Sequence, residues 1–149
     1  MVWKMGLEAG GSLLDAIGNT PMVKLSKVAQ GIKGNIFAKL EMMNPSGSVK
    51  DRMAKYMIEA AERKGALKPG YTIVEATTGN TGISFSMVAA LKGYRMVVVM
   101  PEEMSEERKM IIKAFGASIV HTPGAESDVD KSIQKVKEIV AENPQTWVP

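Results

Sequence analysis

The amino-acid sequence predicts an α/β fold built on a parallel β-sheet. From residue 72 onward, short apolar runs of strand-forming residues alternate with longer segments whose apolar residues follow helical spacing. The first helical segments end at glycines, the residues that most readily close a helix in the left-handed conformation. Because strands that alternate with helices lie parallel in one sheet, the pattern indicates a single ordinary α/β domain in these 149 residues.

Before residue 72, the chain carries two β-type segments and one turn-rich loop. The β segments are predicted at residues 21–25 and 35–40. The loop at residues 41–49 contains proline, glycine and serine, and leads into a helix that begins near Lys50. The sequence therefore predicts that this lysine lies at the start of a helix.

Three further strands are predicted at residues 72–76, 95–100 and 117–121. Their starts are one strand-helix unit apart, and the next strand is expected near Thr146. The sequence ends at Pro149, soon after that strand begins. We therefore expect the sheet to continue in a further part of the polypeptide.

The helices are predicted from their start and stop residues. Glu106 and Glu107 follow Ser105, and both a side-chain cap and negative charge suit the positive end of a helix dipole. A last helix is predicted at residues 127–142, before Pro144. The first three helices are predicted to start after Asp51, Asn80 and Ser105 and to close at Gly65, Gly93 and Gly116.

Composition excludes several classes of function. The 19 Lys and Arg against 16 Asp and Glu give a net charge of +3, scattered along the chain, so we expect no nucleic-acid partner. No apolar run is long enough to span a bilayer, and the first residues lack the apolar core of a signal peptide, so we expect a cytoplasmic protein with no membrane partner. With no cysteine and only His121, we expect no metal site, although carboxylate-bound magnesium stays open.

The segment Asn-Pro-Ser-Gly-Ser-Val-Lys-Asp-Arg at residues 44–52 delivers Lys50 to the first turn of a helix. The positive end of the helix dipole and partial burial both disfavour a charged amine there. A neutral amine is what Schiff-base formation requires. The alternative is an exposed lysine at a helix start, with Asp51 and Arg52 simply solvated.

The segment Thr-Thr-Gly-Asn-Thr-Gly at residues 77–82 lies where a predicted strand turns into a helix. Free backbone N–H groups at such a turn bind anions, and glycine lets a ligand approach the backbone closely. The hydroxyls of Thr77, Thr78 and Thr81 add donors for a carboxylate or phosphate. The alternative is a well-capped helix start that binds no ligand.

Taken together, these motifs resemble the cysteine synthase (O-acetylserine sulfhydrylase) and cystathionine β-synthase family of pyridoxal 5′-phosphate (PLP) enzymes. The resemblance runs from about Leu13 to the last residue. It is carried, in order, by the segments at residues 17–21, 39–41, 44–52, 75–82 and 100–108.

This resemblance implies a three-layer, open, mostly parallel sheet with helices on both faces, the tryptophan synthase β-like architecture of fold type II PLP enzymes. It also implies that residues 1–149 are the amino-terminal domain of a two-domain enzyme. Residues 13–40 are expected to pair partly with the carboxy-terminal domain. The enzyme is expected to be a homodimer.

The resemblance also implies the roles of individual residues. Lys50 is expected to form the Schiff base with PLP and, once displaced by the substrate, to act as the base at its α-carbon. Asn80 is expected to contact both cofactor and substrate. The substrate carboxylate is expected to be bound by Thr77, Thr78, Gly79, Asn80 and Thr81. Thr78 replaces the usual serine and Ala76 the common proline; both departures are mild, because residue 78 keeps a hydroxyl, but the extra methyl group of Thr78 is expected to narrow the substrate pocket.

The implied reaction is a β-replacement that forms L-cysteine from O-acetylserine, or a related activated serine, and sulfide. A cystathionine β-synthase or a serine/threonine dehydratase stays open within the enzyme class. A truncated, non-catalytic domain is the alternative outside that class. In the family, the loop that binds the cofactor phosphate lies beyond the equivalent of Pro149, so we expect little activity from these residues alone.

Overall fold

The computed structural model describes residues 11–149, so the first residues, on which the argument against a signal peptide depends, lie outside the described part. Residues 11–149 form six strands and four α-helices, joined by loops and short 3₁₀ turns. In chain order they are β1 (Met22–Lys24), β2 (Phe37–Lys39), α1 (Lys50–Arg63), β3 (Thr72–Ala76), α2 (Asn80–Lys92), β4 (Arg95–Pro101), α3 (Glu106–Ala114), β5 (Ser118–Thr122), α4 (Val129–Glu142) and β6 (Thr146–Trp147).

The main sheet has four parallel strands in the order β5-β4-β3-β6. β3 lies beside β4 with Thr72 opposite Arg95, and β4 lies beside β5 with Val97 opposite Ser118. On its other side, β3 pairs with β6, where Ile73 is opposite Trp147. The predicted parallel α/β sheet is therefore confirmed, and so is the strand expected near Thr146.

Helices cover both faces of this sheet, which confirms the three-layer architecture. On one face, α2 and α3 pack on the sheet, whose side chains here include Ile73, Met96 and Val98, and α1 packs on α2. On the other face, Val136 of α4 packs against Val74 and Val99. Residues 82–89 of α2 are all buried, because α1, α3 and the sheet cover this helix on several sides.

The helix ends agree closely with the predicted signals. Gly93 closes α2 with φ 76° and Gly116 follows α3 with φ 83°, both in the left-handed region that favours glycine. Ser105 is the N-cap of α3 as predicted, but its side chain makes no capping hydrogen bond. The last helix starts at Val129, because residues 126–128 form a separate 3₁₀ turn before it.

The strands β1 and β2 form a separate antiparallel pair. Met22 lies opposite Lys39, and both Met22 and Phe37 are more than half exposed at 59% and 55%. Pairing of this segment with a second domain stays a prediction. Among residues 11–149, the helices are too short or too polar to cross a membrane.

Candidate active site

The strand order places a crevice at the carboxyl end of β3. The chain passes from β3 to β4 and β5 on one side, and β6 then returns to the opposite side of β3. In open α/β sheets, ligands bind where the strand order reverses in this way, beyond the carboxyl ends of the strands. The predicted anion-binding segment at residues 77–82 follows β3 directly, and therefore lies at this position.

The turn between β3 and α2 is built by close packing. The Thr77 amide donates to the Val99 carbonyl at 3.0 Å, which extends the pairing of β3 with β4 by one residue. The Thr77 hydroxyl accepts from the Gly79 amide at 3.2 Å. A Cβ at Gly82 would lie 2.6 Å from Thr77 Cγ2 and 3.2 Å from Val98, so only glycine lets α2 approach the sheet this closely.

The first N–H groups of α2 are available to a ligand. The amides of Asn80 and Thr81 have no hydrogen-bond acceptor within residues 11–149. Gly79 is the N-cap and supplies no side chain, and a Cβ built there would meet nothing within 4 Å. Free N–H groups at the positive end of a helix, beside open space, have the chemistry of an anion-binding site.

The structure adds one charged residue that the sequence did not suggest for this turn. Glu126, in the 3₁₀ turn before α4, has its Oε1 3.4 Å from the Thr78 hydroxyl. The distance exceeds that of an ordinary O–H···O hydrogen bond, so the contact is weak. Because residues 78 and 126 are far apart in sequence and meet only through the sheet topology, no local motif pointed to this neighbour.

Lys50 is the first residue of α1, as predicted. Its backbone amide donates to Ser48 Oγ at 3.0 Å, which orders the entry of the chain into the helix. The side chain is half-buried, and Nζ forms no hydrogen bond or ion pair with residues 11–149. The amine is therefore free to react with a ligand.

A network of hydrogen bonds fixes the loop before Lys50. Glu41 binds Arg52 through two oxygens, with Arg52 Nε at 2.8 Å and Nη2 at 3.0 Å, and also accepts from the Thr20 hydroxyl at 2.7 Å. Asn44 donates to Glu41 Oε2 at 2.9 Å and accepts from the Gly18 amide at 2.9 Å. The hydrogen bond from Arg52, followed by that from Thr20, lowers the pKa of Glu41 to about 2.

The neighbour of Lys50 is buried rather than solvated. Asp51 has no exposed surface and accepts hydrogen bonds from Ser46 and from Ser84 Oγ, the latter at 2.6 Å. Ser84 belongs to α2, so this contact brings the Lys50 segment against the helix that starts at Asn80. The reading of Asp51 as a simply solvated residue is therefore wrong, and so is that reading of Arg52, which is paired with Glu41.

One carboxyl group in the strand before the turn has a raised pKa. Burial raises the pKa of Glu75 to about 7. Glu75 lies in β3 opposite Val98, two residues before Thr77. Near neutral pH, this carboxyl group is therefore divided between its protonated and charged forms.

Comparison with known proteins identifies relatives that match most of the chain. The family model for pyridoxal-phosphate dependent enzymes matches residues 13–149. A cysteine synthase of Staphylococcus aureus is 51% identical over 132 residues, covering 89% of this chain and 42% of the relative. A probable cysteine synthase of Bacillus subtilis is 47% identical over 135 residues, covering 91% of this chain and 43% of the relative.

Solved structures show the same relationship. A cysteine synthase of Entamoeba histolytica superposes with a TM-score of 0.92 at 38% identity, covering 99% of this chain and 45% of that protein. An O-acetylserine dependent cystathionine β-synthase of Helicobacter pylori gives a TM-score of 0.87 at 36% identity, covering 96% and 47%. The chain therefore spans less than half the length of these relatives.

Proposed function

Because the chain belongs to the family of pyridoxal-phosphate dependent enzymes, we propose that it takes part in a β-replacement that forms L-cysteine. The proposed donor is O-acetylserine or a related activated serine, and the proposed nucleophile is sulfide. The observation that carries the proposal is the packing of the Lys50 segment against the helix that begins with the anion-binding turn. An amine and an anion site held together are what an amino-acid substrate and a phosphorylated aldehyde require.

The residues present fit part of the cofactor. Lys50 supplies an amine without a competing partner in residues 11–149, and this amine would hold the PLP aldehyde covalently. Asn80, at the first position of α2, would donate to the cofactor from its side-chain amide. When bound, PLP supplies an electron sink for the bond broken at the substrate α-carbon.

The turn at residues 77–81 would bind the substrate carboxylate. The amides of Asn80 and Thr81 supply N–H donors, and the hydroxyl groups of Thr78 and Thr81 add two more. Once the substrate has displaced it, the Lys50 amine would accept the proton of the α-carbon, and binding of the carboxylate would hold the substrate in place for this step. Exact positioning is the protein's main contribution to this step.

We further propose that residues 1–149 act as the amino-terminal domain of a two-domain enzyme that works as a homodimer in the cytoplasm. Two observations support the domain assignment. The chain covers 42% of the S. aureus relative, and the strands β1 and β2 expose apolar side chains such as Phe37. A second domain would cover these side chains and supply the site for the cofactor phosphate.

A thiol other than sulfide is a second candidate nucleophile. The similarity to the O-acetylserine dependent cystathionine β-synthase of H. pylori favours it, because that protein's name specifies the donor proposed here with a different product. The steps that release acetate from the donor would be the same, so only the nucleophile would differ. Competition between sulfide and homocysteine for one donor distinguishes the two candidates.

The proposal is tested in a two-domain protein made by joining residues 1–149 to the carboxy-terminal part of the S. aureus cysteine synthase. Cysteine formation from O-acetylserine and sulfide is measured with added PLP. Lys50→Ala should abolish activity, whereas Lys55→Ala, on the same helix, should retain it. A chimera that folds and binds PLP, but whose activity survives Lys50→Ala, would contradict the proposed function.

A further inference from the structure

We infer that Asp51 is a positioning residue, whose buried carboxylate, bound by Ser46 and Ser84, sets the place of the Lys50 amine relative to the Asn80 turn. The inference rests on the proposed function, in which Lys50 and Asn80 act on one ligand. It adds a role for three residues that have none in that proposal.

The Asp51 carboxylate has three donors. The Ser46 amide donates to Oδ2 at 2.7 Å, and the Ser84 hydroxyl donates to Oδ1 at 2.6 Å. The Ser46 hydroxyl also donates to Oδ1. The two serine oxygens lie 3.1 Å apart, and since each hydroxyl proton is already directed at Asp51, the serines have no further proton to share.

Burial makes this arrangement stiff. Asp51 and Ser84 have no exposed surface, so water cannot replace a lost donor without movement of the helices. Hydrogen bonds to an ionised carboxylate are shorter and stronger than those between neutral groups. Loss of either serine hydroxyl therefore leaves a buried charge with one donor fewer, and the local structure has to open to restore it.

The contact between Asp51 and Ser84 lies close to both Lys50 and Asn80 along their helices. Asp51 follows Lys50 directly in the first turn of α1. Ser84 lies four residues after Asn80 in α2, and residues four apart share one face of a helix. The contact therefore joins the first turn of one helix to the first turns of the other, and movement at it changes the separation of Lys50 from Asn80.

The experiment compares two buried serines of α2 in the 149-residue chain. Ser84→Ala removes a donor to Asp51. Ser86→Ala is the matched control, because Ser86 is also buried and donates to the Gly82 carbonyl at 2.6 Å, without a hydrogen bond to Asp51. Unfolding temperatures are measured first, so that any difference in overall stability between the two variants is known before their exchange and acylation are compared.

Two measurements that need no bound cofactor are then made on each variant. Hydrogen exchange of the amides at residues 46–50 reports directly on the Ser46 donor, and competitive acylation reports on the reactivity of the Lys50 amine relative to Lys55. Ser84→Ala should raise exchange of the Ser46 amide about tenfold, the change expected for a loss of one charge-assisted donor. Acylation of Lys50 should also rise, because the half-buried amine becomes more exposed.

Ser46→Ala provides a second route if Ser84→Ala does not fold, since it removes a hydroxyl but keeps the Ser46 amide. Ser46→Thr, which keeps a hydroxyl, should restore the behaviour of the unaltered chain. The inference is wrong if Ser84→Ala or Ser46→Ala changes exchange and acylation no more than Ser86→Ala does. Failure of the proposed function would appear separately, as cysteine formation that survives Lys50→Ala.

Discussion

Within residues 11–149, Lys50 differs from Lys39 and Lys55 in that its amine has no hydrogen-bond or ion-pair partner. Lys39 Nζ donates to the Thr20 carbonyl at 2.8 Å, and Lys55 Nζ donates to the Leu14 carbonyl at 3.0 Å. In the PLP-loaded chimera, borohydride reduction should therefore attach the pyridoxyl group to Lys50. Peptide mapping by mass spectrometry checks this, and a label on Lys39 or Lys55 would refute the assignment.

We expect substitution of Asn80 to impair substrate turnover more than cofactor binding. Asn80→Ala removes one side-chain amide but leaves the backbone N–H groups of the turn in place. In the chimera, kcat/KM for O-acetylserine should fall about 10–100-fold, while retention of PLP after dialysis changes less. Asn35→Ala, at an exposed position outside the turn, is the control. Unchanged turnover would mean that residue 80 serves only as a helix start.

Glu75 gives stability a dependence on pH that is opposite to that of most carboxyl groups. Its pKa is raised from 4.5 to about 7, so the folded chain binds more protons than the unfolded chain between these values. The free energy of unfolding should therefore decrease as pH rises from 4.5 to 7. After allowance for partial exposure, the effect is on the order of 1–2 kcal/mol. Urea unfolding of the unaltered chain and of Glu75→Gln at both pH values measures this effect. An equal change in the free energy of unfolding between the two pH values in both proteins would contradict it.

At the scale of single residues, the sequence predicted the positions that depend on neighbouring residues in the chain. Lys50 was placed correctly at a helix start because the loop before it and the helix after it are neighbours in the chain. The burial of Asp51 was not predicted, because its partner Ser84 is 33 residues away. The roles of Lys50 and Asn80 stay predictions.

At the scale of helices and strands, periodicity predicted most boundaries to within one or two residues. β3 begins at Thr72 and β4 at Arg95, as expected, because apolar runs flanked by polar turns define strands locally. The 3₁₀ turn at residues 126–128 was not predicted. There the Asp128 carboxylate accepts from the Ala125 amide at 3.0 Å, a local side-chain bond that competes with helix formation.

In the turn from β3 to α2, we expect alanine substitution of the two glycines to have different effects on stability. Gly82→Ala should destabilise the fold by about 1–3 kcal/mol, because the new methyl group would overlap with Thr77 and crowd Val98. Gly79→Ala meets no neighbour, so it should change stability little but should weaken anion binding by intruding on the open space. Thermal unfolding and phosphate titration of both variants measure the difference. Equal destabilisation by the two substitutions would contradict this account.

At the scale of the whole molecule, we predict that residues 1–149 alone do not catalyse cysteine synthesis. The site for the cofactor phosphate is proposed to lie in a second domain, and each charge-assisted hydrogen bond lost is worth about 1.5–3 kcal/mol. Affinity for PLP should therefore fall by orders of magnitude. The 149-residue chain and the chimera are each mixed with excess PLP, dialysed, and assayed with O-acetylserine and sulfide. Stoichiometric cofactor and full turnover in the short chain would contradict the prediction.

The pairing of β6 with β3 also has a consequence for the protein while it is being synthesised. Thr146 and Trp147 pair with Thr72 and Ile73, and the Trp147 ring lies 6.5 Å from that of Phe85. Until the ribosome has released residue 147, β3 is therefore an edge strand with unsatisfied backbone groups. The nascent chain would expose this edge while β4 and β5 are already made, so it is most prone to aggregate during this interval of translation.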